Sequence, residues 1–108
     1  MKVYIAGKIT GNASYKAQFA NAARQIEEQG HIVLNPAMLP GGMSQADYMR
    51  ICFAMIDTAD EVWLLPSARA SKGAELETDY SNYCRKTVRR LSDMLWFYAD
   101  AWRGVEDG

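Results

Sequence analysis

Short apolar runs alternate with longer amphipathic stretches along this chain. Val3-Tyr4-Ile5-Ala6, His31-Ile32-Val33-Leu34 and Val62-Trp63-Leu64-Leu65 are nearly continuous runs rich in β-branched and aromatic residues, closed by Gly7, Asn35-Pro36 and Pro66. Such runs suit strands buried on both faces, the kind found in parallel sheets. Between the first two, Tyr15, Phe19, Ala22, Ala23 and Ile26 share a helical face, with Lys16, Gln18, Arg24, Gln25, Glu27 and Glu28 at the other positions. Asn12 or Ser14 caps the start and Gly30 stops the end.

A second helix opens on a capping box, Ser44 with Asp47, and carries Tyr48, Ile51, Cys52, Met55, Ile56 and Ala59 on one face before Asp60 ends it. A third is expected from about Gly73 to Cys84, with Leu76, Tyr80 and Tyr83 turned inward. Lys86 to Leu91 either adds a charged edge strand or prolongs that helix. A last helix over about 92–103, capped by Ser92 and stopped by Gly104, groups Leu95, Trp96, Ala99 and Trp102, a face that covers the sheet or meets a partner subunit.

Strand and helix in this alternation mean βαβ units with right-handed crossovers. The expected fold is a small Rossmann or flavodoxin-like three-layer α/β domain. It has a parallel sheet of four to five strands with helices on both faces, in a single domain over residues 1–108. Ligands of such sheets sit at the C-terminal strand ends. Gly7, Asn35 and the stretch from Pro66 to Gly73 all fall there.

Composition narrows the classes. A net charge of −1 with interspersed acids and bases leaves no basic face for a nucleic-acid polymer. Cys52 and Cys84 form no paired motif and His31 is the sole histidine, against a zinc site or disulfide scaffold. No metal and no cofactor are expected. The apolar start is too short for a signal peptide or membrane span, which reads as cytoplasmic.

Candidate chemistry concentrates in three places. The loop Gly7-Lys8-Ile9-Thr10-Gly11-Asn12 has glycines near both ends and backbone amides that can face a ligand. Residues 37–43 either lid a pocket or form a packed connection whose methionines fill core gaps. The stretch from Ser71 to Tyr80 sets Glu75, Glu77 and Asp79 in the first turns of a helix beside Gly73. These acids either complement the helix dipole or hold a charge, Glu77 foremost, next to a cavity. Cys52 is expected to be a small buried hydrophobe unless its helix borders that pocket.

Tyr4-Ile5-Ala6-Gly7, Ala59-Asp60 and Ser71-x-Gly73-x-x-x-Glu77, in this order over residues 1 to about 84, resemble the nucleoside 2-deoxyribosyltransferase-like proteins. That group includes the 2'-deoxynucleoside 5'-phosphate N-hydrolases and a branch common in phages. The resemblance implies that Glu77 is the nucleophile attacking the anomeric carbon of deoxyribose and that the Tyr4 hydroxyl orients it. It also implies that the loop Gly7, Lys8, Ile9, Thr10 and Gly11, with Ser71 and Gly73, binds the substrate and its 5'-phosphate. The helix N-terminus is expected to keep Glu77 ionised at neutral pH. Three departures stand out: Ser71 and Cys52 replace aspartates of the transferases, and Asp79 replaces a small residue, which would crowd or charge the site.

The implied function is cleavage of the N-glycosidic bond of a 2'-deoxynucleoside or its 5'-monophosphate, by hydrolysis or transfer. The alternatives are an inactive nucleotide-binding module and an interaction protein acting through its aromatic C-terminal helix. The expected partners are a small nucleoside or nucleotide and further copies of the chain in a homodimer or higher oligomer, with no nucleic-acid polymer and no membrane.

Overall fold

The computed structural model describes residues 1–91. In chain order it contains β1 (Lys2–Ala6), α1 (Tyr15–Glu28), β2 (Ile32–Leu34), α2 (Gln45–Thr58), β3 (Glu61–Leu64), α3 (Lys72–Tyr83) and β4 (Thr87–Arg90), with 3-10 turns at Pro36–Met38 and Pro66–Ala70. The helix expected over 92–103, with Ser92 and Gly104 at its ends, lies outside the described residues. All pairings are parallel, in the order β2-β1-β3-β4. The expected α/β architecture is formed, and Lys86 to Leu91 resolves as a strand at the sheet edge.

The period of two along the strands divides the core into two layers. Val3 and Ile5 of β1, with Trp63 and Leu65, pack against Phe19, Ala22 and Ile26 of α1. Tyr4 and Ala6, with Val62 and Leu64, face the other way onto Cys52 and Ile56 of α2, joined by Tyr80 of α3. Helices therefore cover both faces. Each large apolar side chain buried completely here stabilises the fold by roughly 1.5–3 kcal/mol.

Local signals behave as their chemistry dictates. Gly30 takes φ +88° just past α1, and its amide donates to the Glu27 carbonyl at 2.9 Å. The Ser44 hydroxyl accepts from the Asp47 amide at 3.1 Å, while the Asp47 carboxylate accepts from the Ser44 amide at 3.4 Å. At the far end of α2 the Lys86 ammonium donates to the carbonyls of Asp57 and Ala59, where a helix C-terminus favours positive charge. Asp60 accepts from the Lys2 amide at 2.7 Å and so ties the start of β3 to that of β1.

Two expectations of burial are corrected. Gln18 and Gln25 are buried, because α1 lies over the sheet centre and buries a wider arc than its apolar stripe; Gln18 accepts from the Asn12 side-chain amide at 2.9 Å. On α3, Leu76 and Tyr83 are exposed, at 51% and 88%, and the packed face is instead Ala74, Glu77 and Ser81. Small residues at 74 and 81 let α3 approach the sheet closely. Tyr80 alone of the expected three packs inward, stacked on Phe53 at 4.2 Å between ring centroids.

No described helix is long and apolar enough to cross a membrane.

Candidate functional site

β1 and β3 are neighbours at the sheet centre, but their exits diverge, β1 into α1 and β3 into α3. A parallel sheet opens a crevice where its connections reverse in this way. Here the crevice is a hollow of about 1210 Å³. Its walls are the loop from Gly7 to Thr10, the stretch from Asn35 to Gly41, the α2 residues Tyr48, Met49 and Cys52, and the opening of α3 from Ser71 to Ala74 with Glu77.

Three side chains from three elements converge at its base: Tyr4 of β1, Cys52 of α2 and Glu77 of α3, all buried. Glu77 and Cys52 line the hollow, and Tyr4 lies behind them. Burial pushes the Glu77 carboxyl up to about 7, outweighing the Tyr4 hydroxyl and the Cys52 thiol, which favour the charged form. The expectation that the helix end keeps Glu77 fully ionised is therefore corrected. α3 begins at Lys72, so Glu77 sits in the second turn, and the field of a helix end fades within the first.

Burial, and then the charge of Glu77, hold the Tyr4 phenol well above its ordinary value, so it remains a proton donor. Its oxygen has no hydrogen-bond partner among the described residues. Burial likewise pushes the Cys52 thiol up to about 11, leaving it neutral.

The other expected site residues fall into separate roles. Ser71 lines the hollow, but its hydroxyl also caps α3 by accepting from the Ala74 amide at 3.1 Å. A Cβ on Gly73 would meet only the Ser71 hydroxyl, at 3.8 Å, so this side of the hollow is open. Gly7 is different, since a Cβ there would come within 3.0–3.1 Å of Leu65 and Phe19. Packing alone therefore leaves little room for a side chain at this position.

The Lys8 side chain lines the hollow, while its amide is already donated to the Ser67 hydroxyl at 3.0 Å. Ile9 lines the hollow and packs on the α1 side of the core, and Thr10 stands exposed at the rim. Gly11 is outside the lining, its φ of +75° serving the turn.

Asp79 does not crowd the site. With Glu75, Arg69 and Arg90 it lines a separate hollow of about 220 Å³ between α3 and the end of β4. The two-residue offset from Glu77 turns it to another side of the helix.

Residues 37–41 border the hollow while Ala37 and Leu39 also pack against the core, and Met38, at 81% exposed, fills no core gap. Tyr48 pins them by donating its hydroxyl proton to the Pro40 carbonyl at 2.7 Å and accepting from the Met43 amide at 3.3 Å. No motif in the sequence singles out Lys16 and Lys72, which also line the hollow. Their signal is a basic residue in the opening turn of the helices that follow β1 and β3, which α2 lacks. Among the described residues no group of three His, Cys, Asp or Glu side chains is placed to hold a metal ion.

A carboxylate that titrates near neutrality, beside a phenol and beneath a large hollow, is equipped to attack an electrophilic carbon or to take a proton. A family model described as "Domain of unknown function (DUF4406)" matches residues 1–90, the span holding every described strand and helix. No curated protein matches the chain.

Proposed function

The chain belongs to the DUF4406 family, and from the site itself we propose that it cleaves the N-glycosidic bond of a 2'-deoxynucleoside or its 5'-monophosphate, with Glu77 as nucleophile. One observation carries the reading: the Glu77 carboxylate is buried beside the Tyr4 hydroxyl at the base of a hollow at the reversal between β1 and β3. The likeness of the Tyr4 to Gly7 and Ser71 to Glu77 motifs to the nucleoside 2-deoxyribosyltransferase-like proteins supplies the substrate class.

In this scheme a Glu77 carboxylate oxygen bonds to C1' of the sugar as the C1'–N bond breaks. The base departs with the bonding electron pair and takes a proton from solvent. Water then attacks C1', loses a proton and frees the carboxylate; in transfer, a nitrogen of a second base takes the place of water. A negative charge in a water-poor site stabilises the oxocarbenium-like transition state more strongly than in bulk solvent. In the reaction the Tyr4 hydroxyl, buried and without a partner among the described residues, turns to donate to one carboxylate oxygen while the other reacts.

The test is a panel of nucleosides and 5'-monophosphates followed by chromatography for free base. The native chain releases base; Glu77→Ala, with an unchanged circular dichroism spectrum, releases none. Equal release by the variant rules the mechanism out.

A second reading is favoured by Cys52, whose neutral thiol stands in the wall where the resemblance expects an aspartate. With no second acid among the described lining residues to protonate the leaving base, the hollow is a nucleotide-binding module without turnover. Nucleotides then raise the melting temperature while the panel stays free of base.

A further inference from the structure

The hollow has an electrostatic character that the chain as a whole does not. Net charge over the full sequence is −1, yet among the described residues the lining carries Lys8, Lys16 and Lys72 against a single carboxylate, Glu77. The ion pairs among the described residues are Arg24–Glu28, Arg50–Asp47 and Arg89–Glu61, so none of these lysines is neutralised by an acid there. The three arise from separate elements: Lys8 from the loop after β1, Lys16 from the first turn of α1, and Lys72 from the first position of α3. Unpaired cations distributed in this way around one concavity lower the potential energy of an anion inside it.

Size adds an independent constraint. Sites that enclose a single drug-sized ligand, the class to which a nucleoside monophosphate belongs, measure roughly 300–1,000 Å³. This hollow, at about 1210 Å³, exceeds that range. One phosphate monoester would engage part of the cationic rim and leave both the remaining lysines and much of the volume unused. Pro36, Leu39 and Met49 supply apolar wall for a ligand that extends further.

We infer that the hollow takes a nucleotide bearing two linked phosphates, in preference to a nucleoside or a monophosphate, with Lys8, Lys16 and Lys72 meeting the diphosphate. This rests on the reading of the hollow as a nucleotide site but not on the chemistry of Glu77. A free nucleoside 5'-diphosphate and a dinucleotide joined through a pyrophosphate share the recognised group, and the volume accommodates either.

The experiment measures binding by calorimetry in Glu77→Gln, which removes turnover while keeping the side chain's shape. The ligands are the four 2'-deoxynucleosides, their 5'-mono- and 5'-diphosphates, and a pyrophosphate-linked dinucleotide. At least one diphosphate or the dinucleotide should bind about tenfold or more tightly than the matching monophosphate, the return expected from one added charge-assisted contact. Raised salt should shrink the advantage. Lys16→Ala and Lys72→Ala should each pull diphosphate affinity toward that of the monophosphate and leave nucleoside binding unchanged. The diphosphate against the dinucleotide then tells which source is preferred.

A monophosphate that binds as tightly as every diphosphate overturns the inference, as does an advantage that survives both lysine substitutions. Base release from monophosphates with no diphosphate preference removes this inference alone. Diphosphate preference with no base release by the native chain removes only the catalytic reading, and failure of every nucleotide to bind removes both.

Discussion

Tyr4 and Glu77 meet in the interior, a phenol without a hydrogen-bond partner among the described residues beside a carboxyl that burial holds near neutrality. The hydroxyl favours the ionised carboxylate, so its removal raises the Glu77 pKa further. With Glu77 as nucleophile, kcat/KM of the native chain climbs with pH through about 7. In Tyr4→Phe that acid limb moves to higher pH, a change that a purely structural tyrosine would not produce. A pH profile of both proteins decides it, and a limb left in place removes Tyr4 from any role in tuning the carboxylate.

The same titration links pH to stability. The folded chain holds the Glu77 proton up to about 7, whereas the ordinary value is 4.5. Between these limits the native state binds more proton than the unfolded chain, so stability falls as pH rises through the window and levels off above it. The loss is at most on the order of 3 kcal/mol. Glu77→Gln abolishes this slope and is the more stable protein above neutrality. Urea midpoints taken from pH 4.5 to 8 on both proteins check the sign; curves that run parallel would show that burial does not govern the group.

Much of this architecture is legible in local spacing. The runs at Val3 to Ala6 and Val62 to Leu65, the Ser44–Asp47 box and the Gly30 stop each encode their element within a few residues. The phase of α3 is not encoded that way. Leu76 and Tyr83 attract an apolar reading, but the inward positions are occupied by a small residue, an acid and a serine, a sacrifice of core packing at the site. Glu77 can be located from its motif, while its charge state depends on a contest between helix field and burial that only the tertiary structure resolves. Lys16 and Lys72 read singly as solvated helix surface, and become a pattern only when two helices open on one hollow.

Gly7 joins the core to the site, and a methyl group there has little room. Its Cβ would lie 3.0 Å from Leu65 Cδ1, 3.1 Å from Leu65 Cβ and 3.1 Å from Phe19 Cζ. The Leu65 Cβ cannot swing aside as a side-chain tip can, so its backbone or the exit of β1 must give by a few tenths of an ångström. Gly7→Ala is expected to cost about 1–3 kcal/mol, the range for overpacking. Chemical denaturation measures it, and an unchanged midpoint would mean that Leu65, just past β3, yields to the added group.

Arg85 is the one residue other than glycine with positive φ among the described residues, at 61°. It follows the last turn of α3, where its amide donates to the Asn82 carbonyl at 3.1 Å and the Lys86 amide donates to the Ser81 carbonyl at 2.9 Å. This is the paired closure that usually places glycine at the left-handed position. An L-residue there carries roughly 1–2 kcal/mol of steric cost, while glycine returns about 0.5–1 kcal/mol of it through the greater freedom of its unfolded chain. Arg85→Gly should therefore stabilise the protein by about 0.5–1 kcal/mol, with Arg85→Ala, which keeps the Cβ and loses only the charge, close to neutral. Urea midpoints of the three proteins separate backbone from charge: a glycine variant no more stable than the alanine variant would show that the left-handed turn carries no strain.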